Sequence, residues 1–128
     1  MALTQIPEEW RRKVCAILTE ARGKREIFWT DDARKRYGAD GAAAKKVRQG
    51  CYEAVWEYEA LDAFYDFLST GQPMGCQVTM ARPPGECYEF FFQFYGERFY
   101  GKILLRADRR QVVIFSAHKP LKPSLSCE

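Results

Sequence analysis

Apolar positions change their spacing partway along the chain. Over residues 6–22, Ile6, Trp10, Val14, Ile17, Leu18 and Ala21 recur at three- and four-residue intervals, which predicts a helix with one apolar stripe. Pro7 suits its first position, Glu8 and Glu9 suit the positive end of the helix dipole, and Gly23 suits a stop. Ile27-Phe28-Trp29 is a short apolar segment. Thr30 followed by Asp31 and Asp32 then reads as the cap and first turn of a second helix ending near Gly38. A third helical pattern starts at Asp40 and continues to Leu68, with Gly50 as a candidate break. Its apolar face holds Tyr52, Val55, Trp56, Ala60, Ala63, Phe64, Phe67 and Leu68. Thr70-Gly71-Gln72-Pro73 closes it by turn chemistry.

From Gly75 onward the period is two. CQVTM, residues 76–80, predicts a short edge strand, and ARPPGE cannot continue a central one. Residues 87–122 then predict three antiparallel strands joined by two turns. In the first, Tyr88, Phe90, Phe92 and Phe94 share one side, while Glu89, Phe91, Gln93 and Tyr95 share the other. Reading Gly96-Glu97 as a two-residue turn sets Tyr95 opposite Arg98. Phe99, Gly101, Ile103 and Leu105 then join the phenylalanines, with Gly101 beside Phe92. Arg98, Tyr100, Lys102, Leu104 and Arg106 join Gln93. The third strand is expected to give Val113 and Phe115 to the core, and Val112, Ile114, Ser116 and His118 to the opposite side. A mid-strand glycine such as Gly101 marks a bend or the close approach of another aromatic.

These patterns predict one domain over 1–128, with 1–71 mainly helical and 75–118 forming an antiparallel sheet. The fold class expected is α+β: N-terminal helices packed on one face of a small C-terminal antiparallel sheet. With 47% hydrophobic and 29% charged residues, the chain is not composed like a disordered one. No apolar run approaches the ~20 residues of a membrane span, and the first residues lack the plan of a signal peptide. A cytoplasmic protein with no membrane association is therefore expected. The five cysteines are odd in number and widely separated, without Cys-x-x-Cys spacing. Neither a zinc site nor a disulfide framework is expected, and most of the thiols should be reduced. Net charge is only +3, but residues 51–71 carry five acids and no base. Such segregation suits an anionic partner on one surface and a basic partner on another.

The polar side of the three strands gathers the candidate chemistry: Gln93, Tyr95, Arg98, Tyr100, Lys102, Ser116 and the chain's single histidine, His118, with Lys119 beyond. No pair of carboxylates is placed for glycosidase chemistry, no glycine-rich phosphate loop is present, and no cofactor motif occurs. RNA cleavage fits this set better. The ribose 2′-hydroxyl is the nucleophile, so the protein supplies a base, an acid and cations around the phosphate. Tyr100, Lys102 and His118 would be the catalytic set: His118 or Tyr100 exchanges protons, while Lys102, with Arg98 and Lys119, stabilises the extra phosphate charge. Arg98, Lys119, Gln93 and Ser116 would bind the substrate, and Tyr95 would stack on a base. Two other readings stand beside this one. A non-enzymatic binding module, an inhibitor or adaptor, would engage a protein partner through its aromatic face or the acidic segment Glu53–Asp66. Nucleic acid would alternatively bind to the basic residues of 11–48.

The strand with Tyr-Gly-Lys-Ile at 100–103, a turn, and then VVIFSAHKPLK resembles the closing hairpin of the RelE-like ribonuclease toxins, including the MqsR and BrnT branches. The resemblance covers 87–122, under a third of the chain. It implies helices on an antiparallel sheet, RNA cleavage without metal or cofactor, and a cognate antitoxin as partner. Carried over by position, Tyr100 and Lys102 occupy the Tyr-x-Lys places of the penultimate strand. His118 and Lys119 occupy the basic end of the last.

Overall fold

The computed structural model describes residues 3–20, 26–30, 45–48, 51–53, 57–94, 96–118, 120 and 122–128; for 45–48, 51–53, 57, 58 and 118 it describes the backbone only. In order the elements are β1 (Thr4–Gln5), α1 (Glu8–Leu18), β2 (Ile27–Trp29), β3 (Lys45–Arg48) and β4 (Cys51–Glu53). Then come α2 (Glu57–Ser69), β5 (Met74–Val78), β6 (Gly85–Phe94), β7 (Glu97–Arg106) and β8 (Val112–His118). Six strands form one sheet in the order β1-β5-β6-β7-β8-β2, and β3 pairs with β4 separately. The protein is α+β.

Several elements differ from the sequence expectation. The sheet is mixed, because β2 lies parallel to β8 with Phe28 opposite Val113. The short apolar segment Ile27-Phe28-Trp29, to which no element was assigned from sequence, is an edge strand. Strand β5 is not at the edge, since β1 pairs outside it. The helix expected over 40–68 begins only at Glu57. Ahead of it, Lys45–Arg48 and Cys51–Glu53 lie antiparallel on either side of Gly50. Beyond its expected cap Thr30, the helix expected to end near Gly38 falls outside the described residues.

The main core forms where helical stripes meet strand alternation. Trp10, Val14, Ile17 and Leu18 of α1 and Ala60, Leu61, Phe64 and Leu68 of α2 share one cluster with Tyr88, Phe90, Phe92, Phe94 and Phe99. Trp10 meets Tyr88 edge to face at 5.0 Å, and Phe64 meets Phe92 at 4.8 Å. Burying each such side chain contributes about 1.5–3 kcal/mol. Gly101 sits opposite Phe90, where a Cβ would lie 2.7 Å from the Phe90 ring and 2.9 Å from that of Phe64. The expected close aromatic approach is present, although it comes from Phe90 and Phe64 and not from Phe92.

Two register details decide what shares a face. Phe94 pairs with Glu97 and Gln93 with Arg98, so the chain reverses between Phe94 and Glu97, with Gly96 at φ 76°. That is two residues from the expected register, so every side chain keeps its side but gains a different neighbour. In β8, Lys102 pairs with Ser116 while Ile103 pairs with Ile114, which leaves Phe115 as an extra residue. Before this bulge the expected sides are reversed. Val112 and Ile114 belong to the main core, whereas Val113 joins Cys87 and Leu104 in a second cluster, with Phe115 packed on it. After the bulge Ser116 and His118 return to the side of Lys102 and Tyr100, because directly paired residues share a face.

Candidate functional site

The sheet face opposite the phenylalanines carries, from one end to the other, Arg106, Leu104, Lys102, Tyr100 and Arg98 along β7. Strand β6 adds Cys87, Glu89, Phe91 and Gln93, and β8 adds Val113, Phe115, Ser116 and His118. Glu89 is the only acid among the described strand residues of this face. The two-residue register difference sets it directly opposite Lys102.

Glu89 is 5% exposed and is the only buried charged residue among those described. The Tyr100 hydroxyl donates to its Oε2 at 2.5 Å. The Ser126 amide donates to Oε1 at 2.6 Å, and the Ser126 hydroxyl donates to the same oxygen. Burial alone would raise the Glu89 pKa. The hydrogen bonds from Ser126 and Tyr100, with the Lys102 ammonium nearby, outweigh burial and hold it below the ordinary carboxylate value. Tyr100 moves the other way. Burial, its bond to Glu89 and the carboxylate charge all raise it, so the phenol keeps its proton at neutral pH. Donor and acceptor thus fix each other in a charge-assisted bond.

Of the other expected site residues, Lys102 is half-buried, with Nζ 5.7 Å from the centre of the Phe115 ring. Arg98 is exposed, its guanidinium 4.2 Å above the Phe91 ring, and it donates to the Pro123 carbonyl at 3.3 Å. Gln93 is exposed opposite Arg98. Ser116 is half-buried opposite Lys102. The backbone pairs His118 with Tyr100. Tyr95 and Lys119 lie outside the described residues. Glu89 was not singled out from sequence. Its signal is a lone carboxylate inside the aromatic run CYEFFFQF, which a soluble strand retains only where the charge is hydrogen-bonded.

The same face continues past Arg106 into an open cleft of about 870 Å³. Phe28, Val113 and Pro83 give it apolar walls, while Thr30, Arg82, Arg106 and Gln111 bring polar side chains. Phe28 is 50% exposed. No acid is among the described residues that line this cleft. At the other end the C-terminal residues return over the face. Leu125 is buried, Ser126 holds Glu89, and Cys127 is bonded to Cys76, whose strand position is opposite Glu89.

That disulfide corrects the expectation of a chain without one. The two cysteines are 51 residues apart in sequence but have Cα atoms 5.8 Å apart, a proximity that spacing cannot reveal. Cys15 and Cys87 are free thiols. Burial pushes Cys87 up to about 12, with the Lys102 charge opposing and Glu89 reinforcing. Among the described residues no cluster of three or more His, Cys, Asp or Glu could hold a metal ion, and no helix is long and apolar enough to cross a membrane.

No family model, curated protein or solved structure matches the chain.

Proposed function

We propose that this protein binds single-stranded RNA along the sheet face opposite the phenylalanine core and cleaves it as a small metal-independent endoribonuclease of toxin type. One observation carries the reading: basic and aromatic side chains alternate along that face, from Arg82, Phe28 and Arg106 through Phe115 and Lys102 to Phe91 and Arg98. Phe28 is exposed and Phe91 and Phe115 are half-buried; aromatic rings stack on unpaired bases, and cations beside them take the phosphates. Lys102 is the cation placed to stabilise the phosphate as charge develops, and His118 is the proton-transfer group. Tyr100 has a different part from the one its sequence position suggests. Its raised pKa and its bond to Glu89 make it a positioning residue that holds the carboxylate beside Lys102. A cytoplasmic setting and a neutralising antitoxin belong to this reading.

The runner-up is a non-enzymatic module that holds a protein partner. Phe90, Phe92, Phe94 and Phe99 are buried and unavailable to a partner, which leaves the exposed Asp62, Tyr65 and Asp66 of α2. The deciding experiment incubates RNA with reduced protein in EDTA. Wild-type cleavage that drops at least about a hundredfold in both Lys102→Ala and His118→Ala is the expected result, the scale of losing a general acid–base group. Cleavage by both variants at wild-type rates sinks the assignment. Absence of wild-type cleavage, together with capture of one stoichiometric protein that Asp62→Lys abolishes, favours the module.

A further inference from the structure

Residues 122–128 form a strap across the candidate RNA face, fastened at several points. The Pro123 carbonyl accepts from Arg98, Leu125 is 4% exposed, and the Ser126 amide and hydroxyl both bond the buried carboxylate of Glu89. Cys127 closes the strap through its disulfide to Cys76 on β5. The strap also braces itself, since the Glu128 carboxylate accepts the Leu125 amide at 2.9 Å and the Glu128 amide returns to the Leu125 carbonyl at 3.1 Å. It therefore occupies the groups that the proposed function requires around Tyr100 and Arg98. Among the described residues, by contrast, the main core contains none beyond Ala117. The strap can leave without dismantling that core.

We infer that residues 122–128 are a redox-latched cover that blocks RNA when Cys76 and Cys127 are joined and uncovers the face when a dithiol reduces them. This rests on the RNA-binding reading above. The chemistry is ordinary thiol–disulfide exchange. A thiolate of the dithiol attacks Sγ of Cys127, which is partly exposed, whereas Cys76 is 1% exposed. The protein S–S bond breaks and Cys76 leaves as a thiolate that takes a proton. The reductant's second thiol then displaces Cys127 from the mixed disulfide. Two electrons pass to the protein cysteines, and the reductant ends as a disulfide. Cys87 does not compete, because burial keeps it protonated and the thiolate is the nucleophile. Once the latch opens, only noncovalent contacts restrain the strap. Arg98 loses the Pro123 carbonyl, and Glu89 loses two of its three donors. Disulfides in reducing compartments are commonly transient and redox-sensing, so a latch of this kind is compatible with a cytoplasmic enzyme.

Two readouts test the latch and the RNA face separately. Amide hydrogen exchange over 122–128 reports the strap without RNA. Fluorescence anisotropy with a 12-nucleotide oligouridylate reports binding, using oxidised protein, protein in dithiothreitol, Cys127→Ser and a chain ending at Pro120. Reduction and Cys127→Ser should each speed Ser126 exchange by about tenfold or more. The same changes should tighten RNA binding about tenfold, because a covered site raises apparent Kd by the inverse of its uncovered fraction. The shortened chain should bind like the reduced protein in either redox state. Ser126 exchange that is equally slow in oxidised and reduced protein overturns the latch. Faster exchange with unchanged RNA affinity overturns the blocking role. If the shortened, folded chain binds no RNA, the RNA-binding reading itself fails and the blocking role falls with it.

Discussion

Glu89 concentrates the electrostatics of the molecule at one residue. Its carboxylate is out of water but has Tyr100 on one oxygen and Ser126 on the other, with Lys102 across the strand pair. A charge in that position is retained only because its donors replace the lost hydration. Replacing it by Gln in Glu89→Gln keeps the shape and removes the charge, which should cost about 1–3 kcal/mol at neutral pH. The native carboxyl sits below its ordinary value of 4.5. Its contribution is therefore complete above that value and is lost as pH falls through the depressed native pKa. Urea unfolding from pH 7 to pH 3 should show the gap between wild type and variant shrinking as the solution becomes acid. A gap that does not change with pH would show that the carboxylate charge contributes nothing.

At the scale of elements, strand β8 decides whether the face holds together. Its bulge at Phe115 offsets a phase difference: Val112 and Ile114 enter the main core, yet Ser116 and His118 still align with Lys102 and Tyr100. Deleting Phe115 leaves an unbroken alternation from Val112 to His118 with the same side assignments. The deletion should cost less than Ile114→Ala, which removes a fully buried side chain and should cost about 2–5 kcal/mol. Urea denaturation of the two variants checks the order, and the reverse order would mean that the bulge is needed for the sheet to pair. Alternation made the phenylalanine side of β6 and β7 legible, because the hydrophobic period is unbroken there and does not depend on the exact turn. It could not reveal the bulge, since VVIFSAH is apolar in both phases and either side can be buried. Nor could it fix the turn: a shift of two residues keeps every face the same and changes only which residues stand opposite one another, Glu89, Tyr100 and Lys102 among them.

Over the whole molecule, the parts hidden from sequence are those made by distant segments meeting. Strand β2 joins β8 across 85 positions, and the strap reaches β5 by a disulfide across 51. In a chain-entropy model a cross-link of that length restrains the unfolded state by about 4 kcal/mol. Local patterns located helix α1, the end of α2 and the strands from β5 to β8. They also gathered Gln93, Arg98, Tyr100, Lys102, Ser116 and His118 on one face. Alternation also put Glu89 on that face, but its burial and its partners, the cleft beyond Arg106 and the strap above Glu89 depend on contacts that no local pattern encodes.

The claim on which the account rests is that this face binds RNA through its cations, and salt reads it most directly. Four basic groups lie along the path: Arg82, Arg98, Lys102 and Arg106. For a single strand, the logarithm of affinity should fall against the logarithm of salt with a slope of about −2 to −3 if all four meet phosphates. Measured on reduced protein with single-stranded RNA, Lys102→Ala should flatten that slope by about 0.7, one phosphate contact. A slope near zero, or the same slope in wild type and Lys102→Ala, would contradict it.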